Sequence, residues 1–292
     1  MDVSIIIVNY NTYNLLKECI ESILSKTEII IYEIIVVDNN SPNRDIENLT
    51  FDFPKVKLIK NETNVGFGKA NNIGSAHAKG NYLFFLNPDT ILLNNSLLYF
   101  YEFYSKNQVK LSIGALGSIL LDRENQINSS FSMEFGNFPK DIFYSFLRIF
   151  NLMKTQDKNV IINDYKKVCW CSGANIFINK DTYKSISGFD EKIFMYFEDE
   201  DIQRRLINKG FNNYVIQGPQ IIHLEGGGVN YLSLNKKKVI DKSKFYYFKK
   251  YSNNLLIYSI SKFLYSILTL INNIRSYGIR NSLIYFKEIN KL

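Results

Sequence analysis

Apolar and polar positions alternate between two rhythms along the first 230 residues. "VSIIIVNYN" (Val3 to Asn11) is a nearly continuous β-branched run, the pattern of a strand buried on both faces. Leu15, Leu16, Cys19, Ile20, Ile23 and Leu24 then recur at helical spacing, with Asn11 or Thr12 as N-cap. "YEIIVVDNNS" predicts a second buried strand ending in Asp38, and "KVKLIKN" a short third. "VGFGKANNIGSAHAKG" predicts a loop and helix, with Gly80 as the helix stop. "NYLFFLNPD" predicts a fourth buried strand. A helix is expected near Ser96–Tyr104 and a strand near Ile113–Leu121, while residues 122–168 form an insertion that no period assigns. "SGANIFIN" predicts a strand, "KDTYKSISGFD" a short helix stopped by Gly188, and "EDEDIQRRLINKG" a helix stopped by Gly210. "NYVIQG" predicts a strand running to "PQIIHLEGGG". Strands interleaved with helices argue for an α/β fold on a mostly parallel sheet. The alternation ends near residue 231, so the expected division is 1–230 and a helical region, 231–292.

Charge sharpens that division. Residues 1–230 carry 23 Lys+Arg against 26 Asp+Glu, and residues 231–292 carry 12 against 2. A basic tail rich in aromatics suits an anionic membrane surface, whereas nothing spreads positive charge over the body as nucleic-acid binding needs. "LLIYSISKFLYSILTLI" (Leu255 to Ile271) has seventeen residues interrupted by Lys262, short of the ~20 needed to span a bilayer. An interfacial helix is therefore expected, with packing on the domain or a homodimer as alternatives. Three cysteines make no disulfide framework, and "MDVSIIIVNYN" lacks the basic and apolar regions of a secretory signal. These point to a cytoplasmic protein, peripheral on the inner face of the cell membrane.

In open α/β sheets ligands bind beyond the carboxyl ends of the strands. Asn9-Tyr10-Asn11, Asp38-Asn39-Asn40 and Asn87-Pro88-Asp89 end three predicted strands and should share one edge. A dinucleotide-binding fold needs G-x-G-x-x-G after the first strand, where this chain has Asn-Tyr-Asn-Thr, and no P-loop is present. A bound nucleotide's phosphates would need basic side chains or a metal, for which Asp89 is a candidate ligand of the hard type that suits Mg²⁺ or Mn²⁺. "FEDED" (Phe197 to Asp201) sets four acids after an apolar stretch. They are either a solvated helix start, with Asp201 and Arg205 paired at i,i+4, or the source of a carboxylate whose raised pKa suits a general base. His77 lies in an alanine-containing helix and is assigned a structural place. His223, at another strand end before three glycines, is a candidate metal ligand.

In this order, "VSIIIVNYNT", "EIIVVDNNS", "NETNVGFGKANNIG", "FLNPDT", "WCSGANIFINK", "SGFDEKIFMYFEDEDIQRRLINKG" and "IIHLEGGG" resemble glycosyltransferase family 2 over roughly residues 3–228. The subgroup is similar to bacterial rhamnosyltransferases and related cell-surface polysaccharide transferases. The resemblance implies a GT-A fold and inverting transfer of a sugar, rhamnose among the candidates, from a nucleoside diphosphate donor to a glycan or lipid-linked glycan. It implies that Tyr10 and Asp38, with the backbone of Val8, hold the nucleobase region. Gly66 and Asn71 fall in the segment that closes over the nucleoside. Asp89 takes the last position of the D-x-D metal motif, with Asn87, a neutral donor-side ligand, at the first. Asp199 corresponds to the general base of the "ED" motif, and His223 to a histidine that completes metal coordination. Trp170, Gly173 and Ala174 correspond to a segment lining the donor–acceptor cleft, and Glu198 is assigned to acceptor positioning. A sugar nucleotidyltransferase and a non-catalytic nucleotide-sugar-binding protein are the rival readings. The first lacks its glycine- and lysine-rich signature, and Asn87 is the one feature favouring the second.

Overall fold

The computed structural model describes residues 1–128, 130–149, 163–224 and 233–291. Glu225 and the glycines after it lie outside these residues. The element order is β1 (Val3–Asn9), α1 (Tyr13–Lys26), β2 (Tyr32–Asp38), α2 (Leu49–Asp52), β3 (Lys57–Lys60), α3 (Phe67–Ala76), β4 (Tyr82–Leu86), β5 (Thr90–Leu92), α4 (Ser96–Leu111) and β6 (Ile113–Leu121). There follow β7 (Phe131–Ser132), α5 (Phe138–Ile149), β8 (Tyr165–Val168), β9 (Trp170–Cys171), β10 (Asn175–Asn179), α6 (Lys180–Ser185), α7 (Glu198–Asn208), β11 (Asn212–His223), α8 (Leu234–Lys250), α9 (Leu255–Tyr277) and α10 (Ile279–Asn290).

Contacts divide the chain into two compact units, one carrying β1–β11 with α1–α4, α6 and α7, the other α5 and α8–α10. The first is built on a nine-stranded sheet of order β3-β2-β1-β4-β10-β6-β11-β5, with β8 also paired to β11. Strands β3, β2, β1 and β4 are mutually parallel, as their alternation with helices predicts. The other half is mixed. β10 runs antiparallel between β4 and β6, and β5 and β8 run antiparallel to β11. Hydrophobic periodicity reports burial and not direction, so this half could not be oriented from the pattern.

Alternate residues feed two cores. Ile5, Ile7, Phe84, Leu86 and Phe177 pack with α1 and α4 residues such as Leu16, Ile20 and Phe100 on one face. Ile6, Val8, Leu83, Phe85 and Ile178 pack with Ala70, Ile202 and Leu206 on the other. That two-sided burial is why the strands read as unbroken apolar runs.

Local corrections follow the same physics. α4 runs seven residues past the expected end and stops where Ser112 turns left-handed (φ 49°). Pro219 sits inside β11 at a register irregularity, where its missing N–H costs no ladder bond. Thr12 occupies the N-cap position of α1, but its hydroxyl donates to Asn9 Oδ1 (2.9 Å) and caps nothing. Gly188 and Gly210 have the positive φ expected of helix stops, 68° and 93°. Gly80 does not stop α3, which ends at Ala76. Its role is close approach: a Cβ there would lie 2.5 Å from the Ser4 nitrogen.

The second unit packs Phe138 with Phe245, Phe248, Tyr258 and Tyr265. Asp241 of α8 accepts hydrogen bonds from Tyr265 of α9 (2.8 Å) and Tyr285 of α10. Lys244 pairs with Asp141 of α5 (2.6 Å). Four helices thus share one buried polar cluster whose members neutralise one another.

Because the atoms crowding Gly80 are backbone, Gly80→Ala should destabilise the chain by about 1–3 kcal/mol, read as a lower urea midpoint at unchanged m.

Candidate active site

Parallel pairing sets the ends of β1, β2 and β4 on one edge, with Asn9 opposite Asp38 and Ile7 opposite Leu86. At the first two ends, Asp38 is buried and its carboxylate is engaged. Oδ1 accepts from Asn9 Nδ2 (2.8 Å) and Ser41 Oγ (2.6 Å), and Oδ2 from the Ser41 N–H (3.1 Å). Beside it a cavity of ≈ 250 Å³ is lined by Asn9, Asn11, Thr12, Tyr13, Ser41 and neighbours. Val8 is buried in the ladder, while Tyr10 projects outward, 46% exposed.

Asn39, next to Asp38 at the same strand end, has a role that its place in the sequence does not reveal. Its Oδ1 accepts from Asn61 Nδ2 (3.1 Å) and the Val65 N–H (3.0 Å), and its Nδ2 donates to Asn64 Oδ1 (2.8 Å). One buried amide therefore fixes the loop leading to Gly66. Gly66 has φ +88°, and a Cβ there would lie 2.4 Å from the Phe194 carbonyl oxygen, which accepts from the Phe67 N–H (2.8 Å). Asn71 is buried and turned inward, donating to the Phe67 carbonyl (3.1 Å) within α3.

The third strand end is held from three directions. The Asn87 N–H donates to the Ala174 carbonyl (3.0 Å), and the Asn87 carbonyl accepts from Thr90 Oγ1 (2.7 Å) and Cys19 Sγ (3.7 Å). Antiparallel pairing of β5 and β11 sets His223 opposite Thr90 and thereby beside Asp89. His223 Nε2 lies 3.3 Å from Asp89 Oδ1 and 3.4 Å from Asn87 Nδ2. Asn87 Oδ1 is buried and has no hydrogen-bond partner among the described residues.

That orphaned oxygen bears on whether a divalent cation fits. A carboxylate, an imidazole and the side-chain amide of Asn87 come together, whose oxygen and ring-nitrogen donors are of the kind that Mn²⁺ and Mg²⁺ accept alongside phosphate oxygens. Among the described residues no three His, Cys, Asp or Glu side chains are grouped so as to hold a metal ion. The protein's share of such a site is therefore Asp89, His223 and the Asn87 amide.

Asp199 stands in the first turn of α7, just after Tyr196 and Phe197, both with positive φ. Its Oδ2 accepts from the Gly173 N–H (3.0 Å) and its Oδ1 from the Glu200 N–H (2.9 Å). A Cβ on Gly173 would lie 3.2 Å from the Asp199 Cβ, so glycine lets the backbone approach the carboxylate. Asp199 keeps partial solvent access, but the surrounding protein desolvates its carboxylate. Burial raises its pKa, and the two backbone N–H groups pull it part of the way back. The neighbouring acids are not a solvated helix start. Glu198, Glu200 and Asp201 are buried, and Asp201 pairs with Arg205 (2.8 Å) at the expected i,i+4 spacing.

Gln203, one turn beyond Asp199, was also missed. Its Oε1 accepts from the Cys171 N–H (2.8 Å), and its Nε2 donates to the carbonyls of Cys171 (2.7 Å) and Asp199 (2.9 Å). It fastens the 170–174 segment to α7. Its only signal is the i,i+4 offset from Asp199. Trp170 is half-buried, and its Nε1–H donates to the Glu134 carbonyl (3.2 Å).

The family model of glycosyl transferase family 2 matches residues 4–187, most of the unit that carries these strand ends. The chain belongs to that family. This family-2 transferase is 26% identical over 230 residues to the rhamnosyltransferase WbbL of Escherichia coli K12, covering 76% of this chain and 83% of that one. It is 22% identical to an N-acetylglucosaminyl-diphospho-decaprenol L-rhamnosyltransferase of Mycobacterium tuberculosis, covering 75% of each. Among solved structures it is similar to GalNAc-T7 with UDP, GalNAc and Mn²⁺ (TM-score 0.58, 17% identity), over 82% of this chain and 47% of that one. The fold is thus GT-A, and the chain is a glycosyltransferase with relatives in cell-surface glycan synthesis.

Because burial raises the Asp199 pKa, its proton-accepting form is lost, as pH falls, at a higher pH than that of an ordinary aspartate. If Asp199 takes the acceptor's proton, the acid limb of the transfer rate should be displaced upward in the same way. A limb near the ordinary aspartate pKa, ~4, would count against Asp199 as the titrating group.

Proposed function

We propose that the protein transfers a sugar, with inversion, from a nucleoside diphosphate donor to a lipid-linked glycan at the cytoplasmic face of the cell membrane. The observation that carries this reading is the Asp199 carboxylate, desolvated and oriented by two backbone N–H groups. It is joined through Gly173-Ala174 to the strand end bearing Asn87 and Asp89. The activities of the two rhamnosyltransferase relatives support rhamnose as the sugar, and that of the mycobacterial one a diphospho-polyprenol as the acceptor anchor.

In this reading Asp199 is the catalytic base. The acceptor hydroxyl oxygen forms a bond to the anomeric carbon and passes its proton to the carboxylate. The bond from that carbon to the diphosphate breaks on the opposite face, and the nucleoside diphosphate leaves. A single displacement needs one such carboxylate. The Gly173 and Glu200 N–H groups hold Asp199 with its lone pairs directed, so no reorientation is needed at the moment of transfer. The cavity beside Asp38 takes the nucleoside, with Tyr10 available as an exposed aromatic face, and the segment from Gly66 to Asn71 is tied to the same strand end through Asn39, which donates to the Gly66 carbonyl (3.2 Å). Gly173 and Ala174 belong to the donor side, and Trp170 and the buried Glu198 to the acceptor side. Asp89, His223 and Asn87 would hold a divalent metal, which would offset charge on the leaving diphosphate.

Asp199→Asn should lower kcat about 10²–10⁴-fold while leaving donor affinity nearly unchanged, measured by transfer assay and by calorimetry with dTDP-, UDP- and GDP-sugars. Normal turnover in that variant would sink the assignment of the base. Asp89→Ala and His223→Ala should each weaken Mn²⁺ binding in the presence of nucleoside diphosphate by about tenfold or more, read by calorimetry without any turnover.

A further inference from the structure

Gln203 of α7 is fully buried, as are its helix neighbours Ile202 and Leu206, which pack into an apolar core. A buried amide is costly unless its polar atoms are paired. Here all of them are. Oε1 accepts from both the N–H (2.8 Å) and the thiol (3.2 Å) of Cys171. Nε2 gives one hydrogen to the Cys171 carbonyl (2.7 Å) and the other to the Asp199 carbonyl (2.9 Å). The backbone carbonyl of Gln203 accepts from Nδ2 of Asn213 in β11 (3.1 Å), which also donates to the Cys169 carbonyl (2.9 Å). Two buried amides thus join α7 to the chain at 169–171.

The turn that follows Cys171 serves both halves of the site. The Ser172 N–H is held on the Ser130 carbonyl (2.8 Å), the Gly173 N–H donates to Asp199 Oδ2 (3.0 Å), and the Ala174 carbonyl accepts from the Asn87 N–H (3.0 Å). A closed circuit results. It runs from the Asp199 carboxylate to Gly173, back along the chain to Cys171, and through the Gln203 amide to the Asp199 carbonyl. The carboxylate cannot shift against the Gly173 N–H without breaking one of these bonds. Gln203 itself has no exposed surface on which to meet a substrate, so any effect it has on the reaction passes through Asp199 and the turn.

We propose that Gln203 is a positioning residue for the sugar transfer, holding the Asp199 carboxylate in register with the strand end that bears Asn87 and Asp89. This rests on the reading of Asp199 as the base. A methionine or leucine at 203 would fill the core as an amide does, but apolar contact has no direction. Four directed hydrogen bonds fix rotation as well as distance, and a base must hold both to within a fraction of an ångström.

The test uses Gln203→Met, which keeps the length of the side chain and removes its four hydrogen bonds, and Gln203→Glu, whose protonated form keeps an acceptor for Cys171 and one of the two donors. Turnover is read as hydrolysis of dTDP-, UDP- and GDP-sugars by the full chain, with water in place of the acceptor hydroxyl, and donor Kd by calorimetry. Gln203→Met should lower kcat about 10–10²-fold with donor Kd changed by less than about twofold, and Gln203→Glu should fall between it and wild type. In an Asp199→Asn background Gln203→Met should cost no more than about twofold further, because the group it positions is gone. Leu206→Val, which loosens the same helix from within the core, should lower Tm and leave kcat unchanged. Should Gln203→Met fail to fold, Gln203→Glu carries the same comparison in both backgrounds. A wild-type kcat in the folded variants, an equal loss with and without the Asp199 carboxylate, or the same loss in Leu206→Val would overturn the positioning role. An inactive Asp199→Asn beside a normal Gln203→Met removes this role alone, whereas normal turnover by Asp199→Asn removes the base and this proposal with it.

Discussion

The antiparallel register between β4 and β10 is the constraint on which the site depends. It sets Asn175 opposite Leu86, so the turn before β10 must meet the chain leaving β4. The Asn87 N–H then finds the Ala174 carbonyl, and the next N–H back along that turn, on Gly173, is free to reach Asp199. A one-residue slip would exchange the two faces of β10, moving Phe177 out of one core and Ile176 and Ile178 out of the other. The cores therefore fix the register to the residue, and the register fixes which backbone groups face the carboxylate.

The strand ends were legible because burial and polarity change abruptly there. A run such as "YLFFL" followed by Asn-Pro-Asp marks both the strand and its edge. The run of four acids by itself does not single out Asp199, which the family resemblance alone sets apart from Glu198, Glu200 and Asp201. The two backbone donors to its carboxylate leave no trace in composition. Asn39 and Gln203 were not legible, because a buried amide that organises a loop looks like any polar residue beside a motif. His223 shows an intermediate case. Its place at a strand end could be read, but its neighbour Asp89 follows from the pairing of β5, a strand of three residues that no periodicity reveals.

The insertion resisted reading for a different reason. Its helix α5 packs Phe138 against Phe245 of α8 and Tyr265 of α9, so its apolar residues answer to partners more than a hundred positions away. The seventeen-residue apolar stretch foreseen in the tail likewise becomes a helix of 23, because Asn254 caps its start through the N–H groups of Leu256 and Ile257 and Gly278 ends it.

The insertion of β10 beside β4 also sets an order of events during synthesis. The first four strands are complete once the chain passes Leu86, but the partner covering the outer edge of β4 begins at Asn175. At ~5–20 residues per second, that is roughly 5–18 s in which an apolar strand edge emerges from the ribosome uncovered. The nascent chain is then a template for intermolecular strand pairing, and its yield in a cell depends on chaperones or on slow crowding of neighbouring chains. Variants that weaken β10 would therefore show first as lost soluble protein, before any change in the activity of the molecules that mature.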